Sequence, residues 1–269
     1  MAVLAGRKRA EAEFHDHSKE TRYQTGTLSA AEYRHLHGNK KYYSTTSSSR
    51  EYVRNWLVRH AADKVFLDYA CGNGERTILA AQLGAALAIG IDISPISIEQ
   101  AKSAARAAHV EDRCLFLQGD CEHTDLPGGS VDAILCNGVL HHLDLSYAYY
   151  EMRRILKDGG SVLAVEALGY NPLIQLYRRS TPQMRTDWEK EHILSCSDVD
   201  FAGRFFDVGS VRYWHLFSIL ATPFRSQPSV FRPLLWTLDR LDSIVLRIPG
   251  VKRLAWQFTF ELSKRPVTA

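Results

Sequence analysis

Long apolar runs are missing from this chain. No segment supplies the roughly eighteen uncharged apolar residues that a membrane-spanning helix needs, so no membrane partner is expected. The N-terminal stretch MAVLAGRKRAEAEFHDHSKE carries charge where a secretory leader has its apolar centre, which excludes that reading of it. Cysteine is sparse: Cys71, Cys114, Cys121, Cys136 and Cys196 are odd in number and lack CxxC spacing, so zinc knuckles and redox pairs are not expected. They read as buried thiols in a reducing compartment, and the cytoplasm is the expected location. No metal-binding cluster is visible in the sequence. Strong charge of one sign is also lacking, because the net charge is only +3 and the basic residues form no tract. A nucleic-acid partner is therefore not expected, and a small-molecule substrate is.

What is present suits a soluble globular protein. The 269 residues are 45% hydrophobic and 23% charged, enough for one sizeable core with a lid. Residues 7–20 predict a short helical arm, and 22–50 an aromatic-rich cover containing Tyr23, Tyr33, Tyr42 and Tyr43. Ser49 is placed to cap a helix through REYVRNWLVRH. Beyond it, short apolar runs alternate with amphipathic ones, the pattern of parallel strands joined by crossover helices. Strands are expected at 64–69, 87–92, 114–118, 131–136 and 161–166, with helices near 75–83, 95–108 and 145–156. The sequence KDGG at 157–160 should end the last helix and turn the chain into the fifth strand. Two late strands, 205–219 and 253–264, flank a helix near 229–246 and suggest an antiparallel pair at the sheet edge. This divides the chain into an arm and cap (1–48), a ligand-binding core (49–167), a lid (168–204) and a C-terminal part completing the sheet (205–269).

The stretch VFLDYACGNGERT at 65–77 carries the first chemical signal. Glycines between a strand and a helix let backbone approach a ligand and aim free N–H groups at it. A phosphate loop would need Lys then Ser or Thr after the glycines, whereas Glu75, Arg76 and Thr77 follow here. A dinucleotide fits better, since Asp92 ends the second strand where an acid binds a ribose diol. Asp68, however, stands at the tip of the first strand, where its charge would repel a pyrophosphate and suit a cationic ligand head. The pair therefore favours a ligand with an ammonium or sulfonium end and a ribose.

At these residues the chain resembles the class I S-adenosylmethionine-dependent methyltransferases. LDYACGNG is similar to their first motif, with Ala70 in place of the commoner glycine before Gly72 and Gly74. GIDIS is similar to the ribose-binding strand end, which implies that Asp92 takes the hydroxyls and Ile93 packs on adenine. GDCEHTDLP implies contact of Asp120 and the Cys121 backbone with the adenine edge, and CNGVLHHL implies Asn137 and Gly138 near the methionine ammonium. LKDGGSVLAVEA resembles the fifth-strand connection. The resemblance implies an α/β fold, the Rossmann-like seven-stranded sheet of order 3-2-1-4-5-7-6 with strand 7 antiparallel, a helical N-terminal arm and lid insertions. It also implies S-adenosyl-L-methionine as cofactor and a homo-oligomer in which the N-terminal helix packs on a neighbour.

The acceptor side is less constrained. His141, His142 and Glu166 are the acid–base candidates at the ligand end of the sheet, with structural roles as the alternative for each. Tyr23 and Tyr170 lead a set of aromatics, with Tyr42, Tyr43, Tyr177, Tyr213 and Trp214, that could roof an apolar acceptor or simply bury the sheet edge. NGVL stands where an Asn-Pro-Pro-aromatic tetrad would mark amide or nucleobase acceptors. The segment after Glu166 resembles that of bacterial enzymes acting on small natural products, and more narrowly those of the teleocidin pathway, which methylate a prenyl-chain carbon on an indole alkaloid and start terpene cyclisation. O- or N-methylation of another metabolite, a nicotinamide-dependent oxidoreductase and a non-catalytic cofactor-binding scaffold are the alternatives.

Overall fold

A computed structural model of the chain describes residues 2–23 and 40–265. Helix α1 (Ala2–Tyr23) precedes α2 (Ser47–His60), β1 (Val65–Tyr69), α3 (Glu75–Gln82), β2 (Leu87–Asp92), α4 (Pro95–Ala107), β3 (Cys114–Gln118) and β4 (Val131–Asn137). Then come α5 (Leu145–Ile155), β5 (Leu156–Ala167), α6 (Pro172–Ser180), α7 (Asp187–Glu191), α8 (Cys196–Ala202), β6 (Asp207–Trp214), α9 (Pro228–Val245) and β7 (Gln257–Ser263). The strands form one sheet in the order β3-β2-β1-β4-β5-β7-β6, and β7 runs antiparallel to both neighbours. Among the described residues no helix is long and apolar enough to cross a membrane.

Strand side chains alternate between two covered faces, which is why the central strands read as unbroken apolar runs. Phe66, Ala88, Ala133, Leu135 and Leu163 face Trp56 and Leu57 of α2 and Ala80 and Ala81 of α3. Leu67, Ile89, Ile134, Cys136 and Val162 face Tyr149, Met152 and Ile155 of α5 and Val199 and Ala202 of α8. This double cover puts the loops after β1, β2, β3 and β4 together along one sheet edge, at the reversal of strand order where such folds bind ligands.

Three local expectations need correction. Helix α2 starts at Ser47 after Thr46, so Ser49 lies inside its first turn; it is buried and shares its hydroxyl with His215 Nε2 at 2.8 Å. The KDGG segment belongs to β5 itself, because the β4 register slips between Val131 and Ala133 and absorbs the extra residues as a bulge, with Gly159 at φ 75°. The strand expected at 205–219 stops at Trp214, where His215 adopts φ 66° and Asp242 accepts the N–H groups of Leu216, Phe217 and Ser218.

Candidate active site

The loop after β1 takes an uncommon path, with φ values of 60° at Ala70, 54° at Gly72 and 78° at Gly74. Ala70 is the strained member, since a Cβ is disfavoured in the left-handed region. The two glycines do different jobs. A Cβ on Gly74 would come within 2.8 Å of Ala101 and 2.9 Å of the Phe116 ring, so Gly74 lets α3 pack close to α4 and β3. A Cβ on Gly72 would meet nothing within 4 Å, which leaves bare backbone facing a cavity.

Asp68 serves that loop rather than the cavity. Its Oδ2 accepts the N–H of Thr77 at 3.1 Å and the Thr77 hydroxyl at 3.0 Å, pinning the first turn of α3. It is only 2% exposed, and burial pushes its carboxyl up to about 7 despite the Thr77 bonds and nearby Arg76. Asp68, expected to face a cationic ligand head, is thus bound through Oδ2 to the first turn of α3 and is not among the residues that line the cavity.

Asp92 does line it. Its Oδ2 accepts the Gly72 N–H at 2.8 Å and its Oδ1 the Ser94 N–H at 2.9 Å, so the ends of β1 and β2 are tied together through one carboxylate. Ser94 in turn caps α4, accepting from the Ser97 N–H at 3.0 Å with Pro95 in the first helical turn. The sequence D-I-S-P therefore aims Asp92 and Ile93 at the cavity by local rules. After β3, Asp120 Oδ1 accepts the Glu122 N–H at 2.8 Å, while its Oδ2 takes the ammonium of Lys8. The Cys121 carbonyl accepts the Tyr69 hydroxyl, and burial pushes the Cys121 thiol up, making it a packing group. Beyond β4, Gly138 sits at φ 69° with open space at its Cβ position and lines the cavity, whereas Asn137 points outward, is exposed and does not.

Ala70, Gly72, Asp92, Ile93, Asp120, Cys121 and Gly138 thus converge on one cavity of about 230 Å³. Each Asp92 oxygen accepts one N–H and keeps a second lone pair, the capacity a ribose diol requires. Gly72 and Gly138 supply backbone surfaces that any Cβ would obstruct. These residues fit S-adenosylmethionine.

The acceptor rim is built differently. Glu166, at the end of β5, is 1% exposed and accepts from the Val139 N–H at 2.8 Å, the Leu140 N–H at 2.7 Å and His141 Nδ1 at 2.6 Å. Burial disfavours the charged imidazole, but the Glu166 carboxylate outweighs it and leaves His141 above its ordinary value. His141 Nδ1 and Glu166 thus lock the turn after β4, and Nε2 is left as the other ring nitrogen of His141, 4.0 Å from Glu189. His142 lines the cavity. Tyr170 is turned away: its hydroxyl accepts the Cys196 N–H at 3.1 Å, and Arg253 lies 5.5 Å over its ring. Tyr23 ends α1, and its side chain lies outside the described residues.

Other rings do gather. Tyr42 meets Tyr177 at 5.6 Å and Trp256 at 6.4 Å, and Tyr43 meets Trp256 at 5.3 Å. The Tyr43 ring is half-exposed while its hydroxyl turns inward, where burial together with Glu189 and Glu166 raises its pKa. Trp214 instead packs on Tyr52 at 5.4 Å and donates to Thr259 at 3.1 Å, and Tyr213 stacks on Phe258, so both cover the sheet edge.

Helix α1 lies over this cavity, with Arg7, Lys8, Glu11 and His15 in its wall. Arg7 pairs with Glu122, Lys8 with Asp120 and Glu122, Asp16 accepts from Ser94, and Glu11 pairs with His142 at 3.0 Å. From the lid, Thr186 donates to Glu11, and Glu189 draws Arg185 at 3.5 Å and Arg178 at 3.7 Å. The charged GRKRAEAE run read as part of a short helical arm, and the i,i+4 spacing of Glu11 and His15 was the local signal that both share one face.

The sheet order, the antiparallel seventh strand and the rim of loops define a Rossmann-like class I methyltransferase fold. Residues 67–164 match the family described as a methyltransferase domain, and a geranyl diphosphate methyltransferase of similar fold, 18% identical, is solved with S-adenosylmethionine bound. The chain is 32% identical over 116 residues to the 27-O-demethylrifamycin SV methyltransferase of Amycolatopsis mediterranei (strain S699), covering 43% of this chain and 42% of the relative. It spans less than half the length of the curated relatives it matches. Among solved structures, it is similar to the geranyl diphosphate C-methyltransferase of Streptomyces coelicolor A3(2) bound to geranyl diphosphate and S-adenosyl-L-homocysteine. The TM-score is 0.56 at 17% identity, over 80% of this chain and 79% of that one. The cyclase SpnF gives a TM-score of 0.56 at 16% identity, covering 81% of each chain. At such identities these likenesses speak for the fold.

Proposed function

We propose that the protein transfers a methyl group from S-adenosylmethionine to a carbon of an apolar small molecule, the favoured acceptor being a prenyl chain on an indole alkaloid. The observation that carries this reading is the ring group Tyr42, Tyr43, Tyr177 and Trp256, in which burial together with the Glu189 and Glu166 carboxylates raises the Tyr43 pKa. Bound S-adenosylmethionine supplies a methyl group already activated on a sulfonium, so the protein's work is positioning and exclusion of water. Asp92 would take the ribose diol, Asp120 would exchange Lys8 for the adenine amine, and the bare backbone of Gly72 and Gly138 would border the amino-acid end. Ring faces would stabilise the tertiary cation left on the alkene, with or without cyclisation, and His142 on the cavity wall would take the departing proton.

O-methylation is the second reading, favoured by the same His142, which could deprotonate a hydroxyl. A homo-oligomer is part of the proposal: Val230, Leu241 and Ile244 form an exposed apolar stripe on α9 suited to a second copy, and light scattering of the purified protein tests it. The acceptor is tested by incubating the protein and cofactor with prenylated indole alkaloids and with hydroxylated analogues of matched size. A product one methylene heavier at carbon is expected. Turnover of only the hydroxylated set moves the assignment to oxygen, and turnover of neither sinks the small-molecule reading.

A further inference from the structure

We propose that Glu11, His15 and His142 form a divalent transition-metal site that clasps the first helix onto the rim of the cofactor cleft. Glu11 and His15 are four residues apart and so share one face of α1. His142 closes the tight turn Leu140–His142 that follows β4. Glu11 Oε2 lies 3.0 Å from His142 Nδ1 and 3.7 Å from His15 Nε2, and one donor atom from each of the three residues lies within 4.8 Å of the others. A tetrahedral ion with bonds of about 2.0–2.2 Å holds neighbouring ligand atoms roughly 3.3–3.5 Å apart. The observed separations bracket that edge.

The surroundings hold the donors in place. The second carboxylate oxygen of Glu11 accepts the Thr186 hydroxyl, which leaves Oε2 to face both rings. The His142 ring lies 4.2 Å from His141, which Glu166 anchors. Such outer partners orient ligands and tune metal affinity. All three residues lie on the cavity wall, so a fourth coordination position would open into the cleft. Two imidazoles and one carboxylate suit zinc, iron(II), cobalt(II) or nickel(II) better than magnesium. A neighbouring group of His141, His142 and Glu189 shares His142. There His141 Nδ1 is engaged by Glu166 and Glu189 faces two arginines, so the Glu11 group is the better donor set.

The ion would determine whether α1 stays closed, because the same helix carries Arg7 and Lys8 to Glu122 and Asp120. This holds whatever the acceptor is, and with the ion on His142 Nδ1 the departing proton would pass to water instead of to that ring. The test uses the tag-free full chain, stripped by a chelator and titrated with zinc by calorimetry and with cobalt(II) by visible absorption. One ion per chain is expected, with the absorption of a low-coordinate cobalt site. His15→Gln and Glu11→Gln should each weaken binding by at least about tenfold, and His15→Asp, which restores a ligand atom, should weaken it less than His15→Gln. Circular dichroism melts establish that the variants fold. No saturable binding at micromolar metal by the natural chain overturns the proposal, whatever the variants do. So does binding that both Gln substitutions leave unchanged.

Discussion

The donor rim and the acceptor rim of this cleft meet at Gly138 yet are built on opposite plans. On the donor rim short-range bonds shape each loop, Asp92 to Ser94, Ser94 to Ser97 and Asp120 to Glu122, and longer ones from Gly72, Lys8 and Asp16 are added to them. On the acceptor rim the partners are far apart in sequence, separated by 25 residues for His141 and Glu166, 131 for His142 and Glu11, and 175 for Thr186 and Glu11. Local turns form wherever their own residues permit, whereas long-range pairs exist only once the sheet, lid and α1 have assembled. The donor rim is therefore a fixed seat. The acceptor rim is where opening and specificity can vary.

Substitutions can break this contrast. The largest effect is expected at Glu166, whose removal in Glu166→Leu strands two loop N–H groups and a buried imidazole. A loss of about 3–5 kcal/mol is expected, read from the urea midpoint. A loss below about 1 kcal/mol would mean the turn after β4 does not depend on that carboxylate.

Next is Asp92→Ala, which should weaken S-adenosylhomocysteine binding by about ten- to a hundredfold in calorimetry, by removing charge-assisted bonds to a ribose. Unchanged affinity would remove Asp92 from the cofactor site.

The smallest effect concerns Asp68 and sharpens the comparison, because it tests a donor-rim residue whose role is architectural. Burial lifts its carboxyl from the ordinary 3.8 to about 7, so between these values the folded protein holds a proton that the unfolded chain has released. Its contribution to stability therefore falls as pH rises from about 4 to 7. Asp68→Asn removes that dependence, and its stability relative to the natural protein should be more favourable at pH 7.5 than at 4.5. A pH-independent difference in denaturation midpoints would refute the buried, protonatable state.

Legibility followed the same division. The strand–glycine–helix motif and the acid ending β2 were readable, because each depends on alternation, turn chemistry or a cap within a few residues, whereas the order of the sheet came from the family resemblance. Asp92, Ile93, Asp120 and Gly138, the last three named through that resemblance, all line the cavity. The turn of the Asp68 carboxylate toward Thr77 was not legible, because residue type alone does not tell which way a strand-end carboxylate points. Glu166 and His141 were read as possible acid–base groups, and their mutual bond, which also locks the turn after β4, was not legible either. Tyr170 and Trp214 were legible as aromatics, yet which surface each covers depends on residues such as Arg253 and Thr259 that lie far along the chain.

By itself the sequence determined the alternating strands and helices, the left-handed loop after β1 and the carboxylate at the end of β2, since near neighbours enforce these through sterics and short hydrogen bonds. The tertiary structure alone decided that the charged first helix covers the cleft, that Lys8 meets Asp120, and that Glu11, His15 and His142 converge. Those contacts join groups more than a hundred residues apart, and no local rule fixes such a meeting before the chain has folded.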